Sequence, residues 1–296
     1  MLRAVALLVI AAGVAGWFLT APRPLPADFL SGVTPDAAHG AQVFAAAGCA
    51  GCHMAPGSTD RSVLAGGRSF ATAFGTFLAP NISSDPDQGI GGWTDLEIAN
   101  AVMRGVGREG EHLYPALPYT TYRAMTAQDM ADLVAHLRTL PADASPSAPH
   151  QVGFPFNIRR ALGGWKLLFM PGPDDWVLET PATPEVERGR YLVEALGHCG
   201  ECHTPRNLLG GMDRGRWLSG GPNPDGEGRI PNITPAVLHW EASSIAAYLQ
   251  SGFTPDFDSA GGSMVDVIAS ISQLPDADRL AIAAYLQAVP PVEPAP

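Results

Sequence analysis

The sequence predicts an all-α chain: two tandem helical domains with long loops, plus an N-terminal apolar helix. Three observations predict it. The stretch Cys49-Ala50-Gly51-Cys52-His53 recurs as Cys199-Gly200-Glu201-Cys202-His203. The segments around each copy repeat in the same order, so one supersecondary plan is used twice. The chain has 33 glycines, 28 prolines and only 16% charged residues, which suits short helices joined by turn-rich loops. Its 296 residues are enough for two domains of ordinary size.

The repeated motif carries the chemistry. C-x-x-C-H is the attachment signature of a c-type haem. Two thiols add to the two vinyl groups of one porphyrin edge, and the following histidine becomes the proximal iron ligand. Cys49, Cys52, Cys199 and Cys202 are therefore the candidate covalent anchors, and His53 and His203 the axial ligands. A zinc site or a redox dithiol also uses C-x-x-C. Both leave the repeated histidine unexplained, and all four cysteines of the chain are already used. Two covalent haems c are expected. The net charge of −11 argues against nucleic acid, whose phosphates require basic patches.

Residues 1–21 open with Arg3, and no charge follows from Ala4 to Leu19. The run reaches the ~17–25 residues of a membrane span only when Thr20 and Ala21 are included. It reads as a membrane anchor or an uncleaved signal, because Pro22 spoils a small-residue cleavage site. Residues 22–30 are a proline-rich, stiff spacer. Either way the haem domains lie on the periplasmic side of a bacterial cytoplasmic membrane, where c-type haem is attached.

The first domain covers 31–144. Thr34-Pro35 suggests an N-cap followed by proline at the first helical position, with a helix over 37–47 leading to Cys49. Thr94 with Glu97 forms a capping-box pattern for a helix to about Gly105. A long loop over 107–123 follows. Thr126 caps a closing helix over 127–140, with Met130, Leu133, Val134 and Leu137 at helical spacing. A connector, 145–180, holds one helix over 157–170. The second domain, 181–289, repeats the plan: Thr183-Pro184 matches Thr34-Pro35, Pro231-Asn232-Ile233 matches Pro80-Asn81-Ile82, and Trp240 matches Trp93. The closing helix spans 276–288. A proline-rich tail, 290–296, is expected to be disordered.

This order of helices is the class I cytochrome c arrangement, in which a methionine on the loop before the closing helix commonly supplies the sixth iron ligand. In the second domain Met264 is the candidate, with Met212 in reserve. In the first, the register points to Tyr114–Leu117, a stretch without methionine. Met125 is the candidate ligand there, and His112 or an open site are the alternatives.

Several stretches carry a family resemblance: Asn81-Ile82-Ser83, Gly91-Gly92-Trp93-Thr94-Asp95, Leu113-Tyr114-Pro115-Ala116-Leu117-Pro118-Tyr119, Phe154-Pro155-Phe156-Asn157, and the run from Gly197 through Asn207. The chain resembles the dihaem and multihaem cytochrome c subunits of membrane-bound bacterial dehydrogenases for alcohols, aldehydes and gluconate. The resemblance implies an electron-transfer subunit with no substrate of its own. Its partners would be a dehydrogenase catalytic subunit and a quinone, cytochrome or oxidase acceptor, with the N-terminus in the membrane. Many members of that family have methionine where this chain has Leu117. Two rivals stand beside this reading. One is a dihaem peroxidase-type enzyme with an open first haem and Glu109 and Glu111 as proton carriers. The other is a thiosulfate-oxidising cytochrome, for which no spare cysteine exists.

Overall fold

The computed structural model describes residues 2–223 and 228–293. Met1 and the last three residues of the expected tail lie outside the described residues. Helix α1 (Leu2–Leu19) has no buried residue, and its end is held by Arg160, which donates to Trp17 O. The helix is long and apolar enough to cross a membrane.

Each half is built on a crossed helix pair. In the first half, α2 (Ala37–Ala46) crosses α6 (Ala127–Leu137). In the second, α8 (Pro184–Tyr191), extended by a π-type turn over Leu192–Leu196, crosses α12 (Asp276–Ala288). Glycines permit the close approach. A Cβ on Gly40 would lie 2.0 Å from Asp132 O, and one on Gly189 would lie 1.9 Å from Ala281 O. The two pairs share one 149-residue offset.

Between them lie the short motif helices α3 (Cys49–His53) and α9 (Gly200–His203), then α4 (Asp95–Ala99) with a π-type turn over Asn100–Arg104, and its counterpart α10 (Ala242–Ser251). The helices before the closing pair member are α5 (Tyr119–Tyr122) and α11 (Met264–Ile271). Connector helix α7 (Ala161–Phe169) touches both halves. The Lys166 ammonium donates to Arg104 O and Gly105 O, both at 2.7 Å, and the Trp165 indole donates to Leu209 O at 2.8 Å.

The all-α expectation needs a correction. Among the described residues two small antiparallel strand pairs are present, β1 (Ser69–Thr72) with β2 (Gly75–Leu78), and β3 (Gly221–Pro222) with β4 (Arg229–Ile230). Each lies between a motif and its Pro-Asn-Ile segment, where the chain must double back and its backbone groups need partners.

Local chemistry explains several boundaries. Thr94 and Glu97 form the expected capping box, at 3.2 and 2.7 Å. Thr126 and Thr183 cap α6 and α8. The cap of α2 is Asp36 rather than Thr34: its carboxylate accepts from Ala38 N–H at 2.8 Å and His39 N–H at 3.2 Å. Asp36 is held there because its own N–H donates to the buried Asp132 carboxylate at 2.6 Å.

The spacer after α1 is laid against the first half. Leu25 N–H donates to the Asn100 side chain at 2.7 Å, and the Arg104 guanidinium donates to Arg23 O at 3.0 Å. The start of the tail is also pinned, since the Asn232 amide donates to Val292 O at 2.7 Å.

Candidate haem centres

Both motifs begin from the same local geometry. The preceding helix runs toward the first cysteine, and a single helical turn then presents the histidine. In the first motif, His53 Nδ1 lies 2.8 Å from Pro80 O; in the second, His203 Nδ1 lies 2.9 Å from Pro231 O. A carbonyl only accepts, so Nδ1 carries the proton and Nε2 keeps its lone pair. Burial pulls the pKa of both imidazoles down, which keeps them neutral as a metal ligand must be.

The loop that supplies the carbonyl is built identically in each half. Gly66 N–H donates to His53 O at 2.7 Å, and Gly220 N–H to His203 O at 2.6 Å. Ile82 and Ile233 donate to Leu64 O and Leu218 O, both at 3.0 Å. Asn81 and Asn232 accept from Ser83 and Thr234 N–H, both at 2.8 Å. Gly66 and Gly220 sit at φ +75°, where a Cβ would meet the carbonyl strand at 2.5 Å. This orienting loop is the functional part that the motif alone does not reveal, although the repeat of Pro-Asn-Ile marked its place.

Burial pushes the Cys49 and Cys199 thiols up to about 12. Protonated thiols in such surroundings are poor zinc ligands and poor redox nucleophiles. Both sets of residues therefore fit a covalently attached haem: two thiols, and a neutral imidazole fixed by its second nitrogen.

The halves pack reciprocally. From the first half, Thr120 donates to Glu201 in the second motif at 2.9 Å, and the Tyr122 ring meets His198 edge-on at 6.0 Å. From the second half, Asp266 on α11 pairs with Arg68, which also donates to Gly51 O in the first motif. Arg61 donates to Ser270 at 2.6 Å. The helix before each closing helix thus covers the other half's motif. A Cβ on Gly48 would lie 3.3 Å from His198 Nε2, so the approaches to Cys49 and Cys199 abut.

The candidate sixth ligands are distributed unevenly. Met264 is half-buried and is the first residue of α11 rather than part of a loop. The apolar spacing of Val267, Ile268 and Ile271 was the sequence sign of that helix. Met125 is 3% exposed, and so is Leu274; each stands one residue before the cap of its closing helix. Met212 packs half-buried against the core and bridges to Arg206. His112 is buried with Nε2 at 2.9 Å from Thr20 O, so it holds the end of α1. Glu111 accepts from Glu109 N–H at 3.1 Å, which ties both residues into their own loop. Arg159 and Arg160 lie over the rings of Tyr114 and Trp17, at 4.9 and 4.1 Å.

Sequence missed the buried Glu194. It accepts from Val177 N–H at 2.6 Å and from the Tyr285 hydroxyl at 2.7 Å, and Tyr285 accepts from the Trp217 indole at 2.9 Å. The Trp217 ring packs on Gly200, where a Cβ would lie 2.2 Å from it. No local pattern marks that chain of contacts, because its members are far apart in sequence.

Comparison with known proteins agrees with this geometry. Residues 37–141 match the cytochrome c family model. A dihaem c-type cytochrome of Cereibacter sphaeroides is 56% identical over 288 residues, covering 97% of each chain. This chain belongs to the dihaem c-type cytochromes. It carries two covalently bound haems c and is an electron-transfer protein. The fructose dehydrogenase cytochrome subunit of Gluconobacter japonicus is 37% identical over 90% of this cytochrome. The gluconate 2-dehydrogenase cytochrome c subunit of Pantoea cypripedii is 32% identical over 81%. This cytochrome spans 55% and 56% of the length of those two relatives.

Proposed function

We propose that this cytochrome relays electrons from a dehydrogenase catalytic subunit, through its two haems, to a quinone, cytochrome or oxidase of the respiratory chain. Haem supplies the one-electron iron couple; the protein attaches it, fixes the proximal imidazole and sets its surroundings. The carrying observation is the reciprocal packing that abuts the two attachment motifs through Gly48 and His198. Two adjacent carriers suit a relay better than two independent sites.

Cys49 and Cys52 hold the first haem with His53 as its axial ligand, and Cys199 and Cys202 hold the second with His203 and Met264. Two tandem class I domains, 31–144 and 181–289, carry them. Helix α1 anchors the chain in the cytoplasmic membrane with the haems on the periplasmic side. The support is its length and apolarity, together with the docking of its end: Thr20 O on His112, and Trp17 under Arg160. The dehydrogenase partner is supported by the relatives, which are cytochrome subunits of fructose and gluconate dehydrogenases.

The test uses native membranes carrying the tagged full-length holoprotein. Adding fructose, ethanol or gluconate should reduce both haems, and the tag should retrieve a dehydrogenase catalytic subunit. Deleting the gene should abolish respiration on the same substrate. Unchanged respiration after deletion would remove the relay, and consumption of peroxide by the purified protein would favour the enzyme reading.

A further inference from the structure

We propose that the first haem keeps an open, apolar sixth position, able to take a neutral diatomic π-acceptor of the carbon monoxide or nitric oxide class. This rests on the reading that Met264 ligates the second iron.

The argument is one of register. Val106 bridges to His112 as Phe253 bridges to Ser259. Leu113 N–H donates to Gly105 O at 2.7 Å, as Ala260 N–H does to Gly252 O at 2.8 Å. Gly107 N–H donates to Glu111 O at 2.8 Å, as Thr254 N–H does to Asp258 O at 2.9 Å. Every pair shares a 147-residue offset. The same offset continues into the next turn: Leu117 N–H donates to Tyr114 O at 3.2 Å, and Met264 N–H to Gly261 O at 3.3 Å. Leu117 stands where Met264 stands, both half-buried and packed against the core. A leucine side chain has no lone pair to offer.

Beyond this point the register slips by two residues. Thr126 and Pro275, the caps of α6 and α12, are 149 apart. Met125 therefore matches Leu274, and its thioether fills the core as a leucine does. Moving Met125 to the place of Leu117 would require α5 to unwind. All four α5 residues are buried; the Tyr122 hydroxyl donates to Ala47 O at 2.6 Å, and Thr120 is held by Glu201. His112, the other donor on this segment, is turned toward the end of α1 by its Nε2 on Thr20 O at 2.9 Å, and its Nδ1 is buried without a hydrogen-bond partner.

The neighbouring polar groups define the ligand class. The hydroxyls of Tyr114, Tyr119 and Tyr122 donate to the carbonyls of Phe156, Leu113 and Ala47. Glu111 is committed to Glu109 N–H. These hydroxyls and this carboxylate have no free proton to give an anion beside Leu117, which would lose hydration there. A neutral diatomic, held by back-donation from ferrous iron, needs none.

The experiment titrates carbon monoxide into the reduced full-length holoprotein and records the near-infrared sulfur-to-iron band of the oxidised form. Expected are one carbon monoxide per chain and a band of one-haem intensity. Leu117→Met should abolish carbon monoxide binding and double the band. Met125→Leu should leave both readings unchanged. A two-haem band without carbon monoxide binding, or a band halved by Met125→Leu, overturns the proposal. Met264→Leu checks the premise separately: loss of the band upholds it, and survival of the band removes the premise and the inference together.

Discussion

Gly40→Ala and Gly189→Ala probe the helix crossings on which both halves are built. A Cβ at Gly40 lies 2.0 Å from Asp132 O and 2.9 Å from His136 Cβ. A relaxed contact begins near 3.4 Å, so α2 and α6 must separate by about 1.4 Å. Overpacking of this kind costs roughly 1–3 kcal/mol, and a backbone atom that cannot rotate away puts this site at the upper end. Alanine returns about 1 kcal/mol of helix preference. The net loss is about 2 kcal/mol, or several degrees of thermal midpoint. Gly189, 1.9 Å from Ala281 O, should lose a similar amount. The control is Gly164→Ala in α7, where nothing lies within 4 Å. It should gain up to about 1 kcal/mol. Urea unfolding of the holoproteins, followed by haem absorbance, reads all three. Equal stabilities for Gly40→Ala and Gly164→Ala would refute the crossing argument.

Other expectations follow from single contacts. Asn81 is 3% exposed and donates to Asp143 O and Ser145 O while accepting from Ser83 N–H. Asn81→Ala strands those groups and should cost about 3 kcal/mol in urea; a loss below about 1 kcal/mol would contradict it. Lys166 is the chain's one lysine, and burial, with Arg104 second, pulls its ammonium down to about 7. Between that value and the ~10.4 of a lysine in the unfolded chain, the unfolded state holds a proton that the folded state has released. Stability should therefore rise with pH from about 7 to about 10, with the penalty fully present below 7. Acetylation of the peptide containing Lys166 should show a midpoint near 7, and a midpoint near 10 would refute the burial. His112→Ala removes the tie on Thr20 O; the loss of about 1 kcal/mol should speed amide exchange over 20–30 several-fold, measurable by mass spectrometry.

The sequence was legible wherever chemistry is local. C-x-x-C-H marks the proposed thioether anchors and proximal histidine, because two thiols and one imidazole must reach a single haem within five residues. Thr94, Thr126 and Thr183 were readable as caps, since a cap bonds within three residues of itself. The closing helix ending at Ala288 was readable from its period. Asp36 displaced Thr34 as a cap because Asp132, far along the chain, holds its backbone. The strand pairs of β1 with β2 and of β3 with β4 were missed because their strands are too short to show alternation.

The sequence by itself determined two haems and the order of the longer helices, α5 and α11 excepted, and it proposed six residues to anchor the haems. Only the tertiary structure decided that Pro80 and Pro231 orient the histidines, that His112 grips the end of α1, and that each half covers the other's motif. It also narrowed the counterpart of Met264, which the repeat had placed within Tyr114–Leu117, to Leu117. The physical reason is range. Covalent spacing and capping act over a few residues, whereas the deciding contacts join residues from 27 positions apart, as His53 and Pro80, to 209 apart, as Arg61 and Ser270, which only the folded chain brings together.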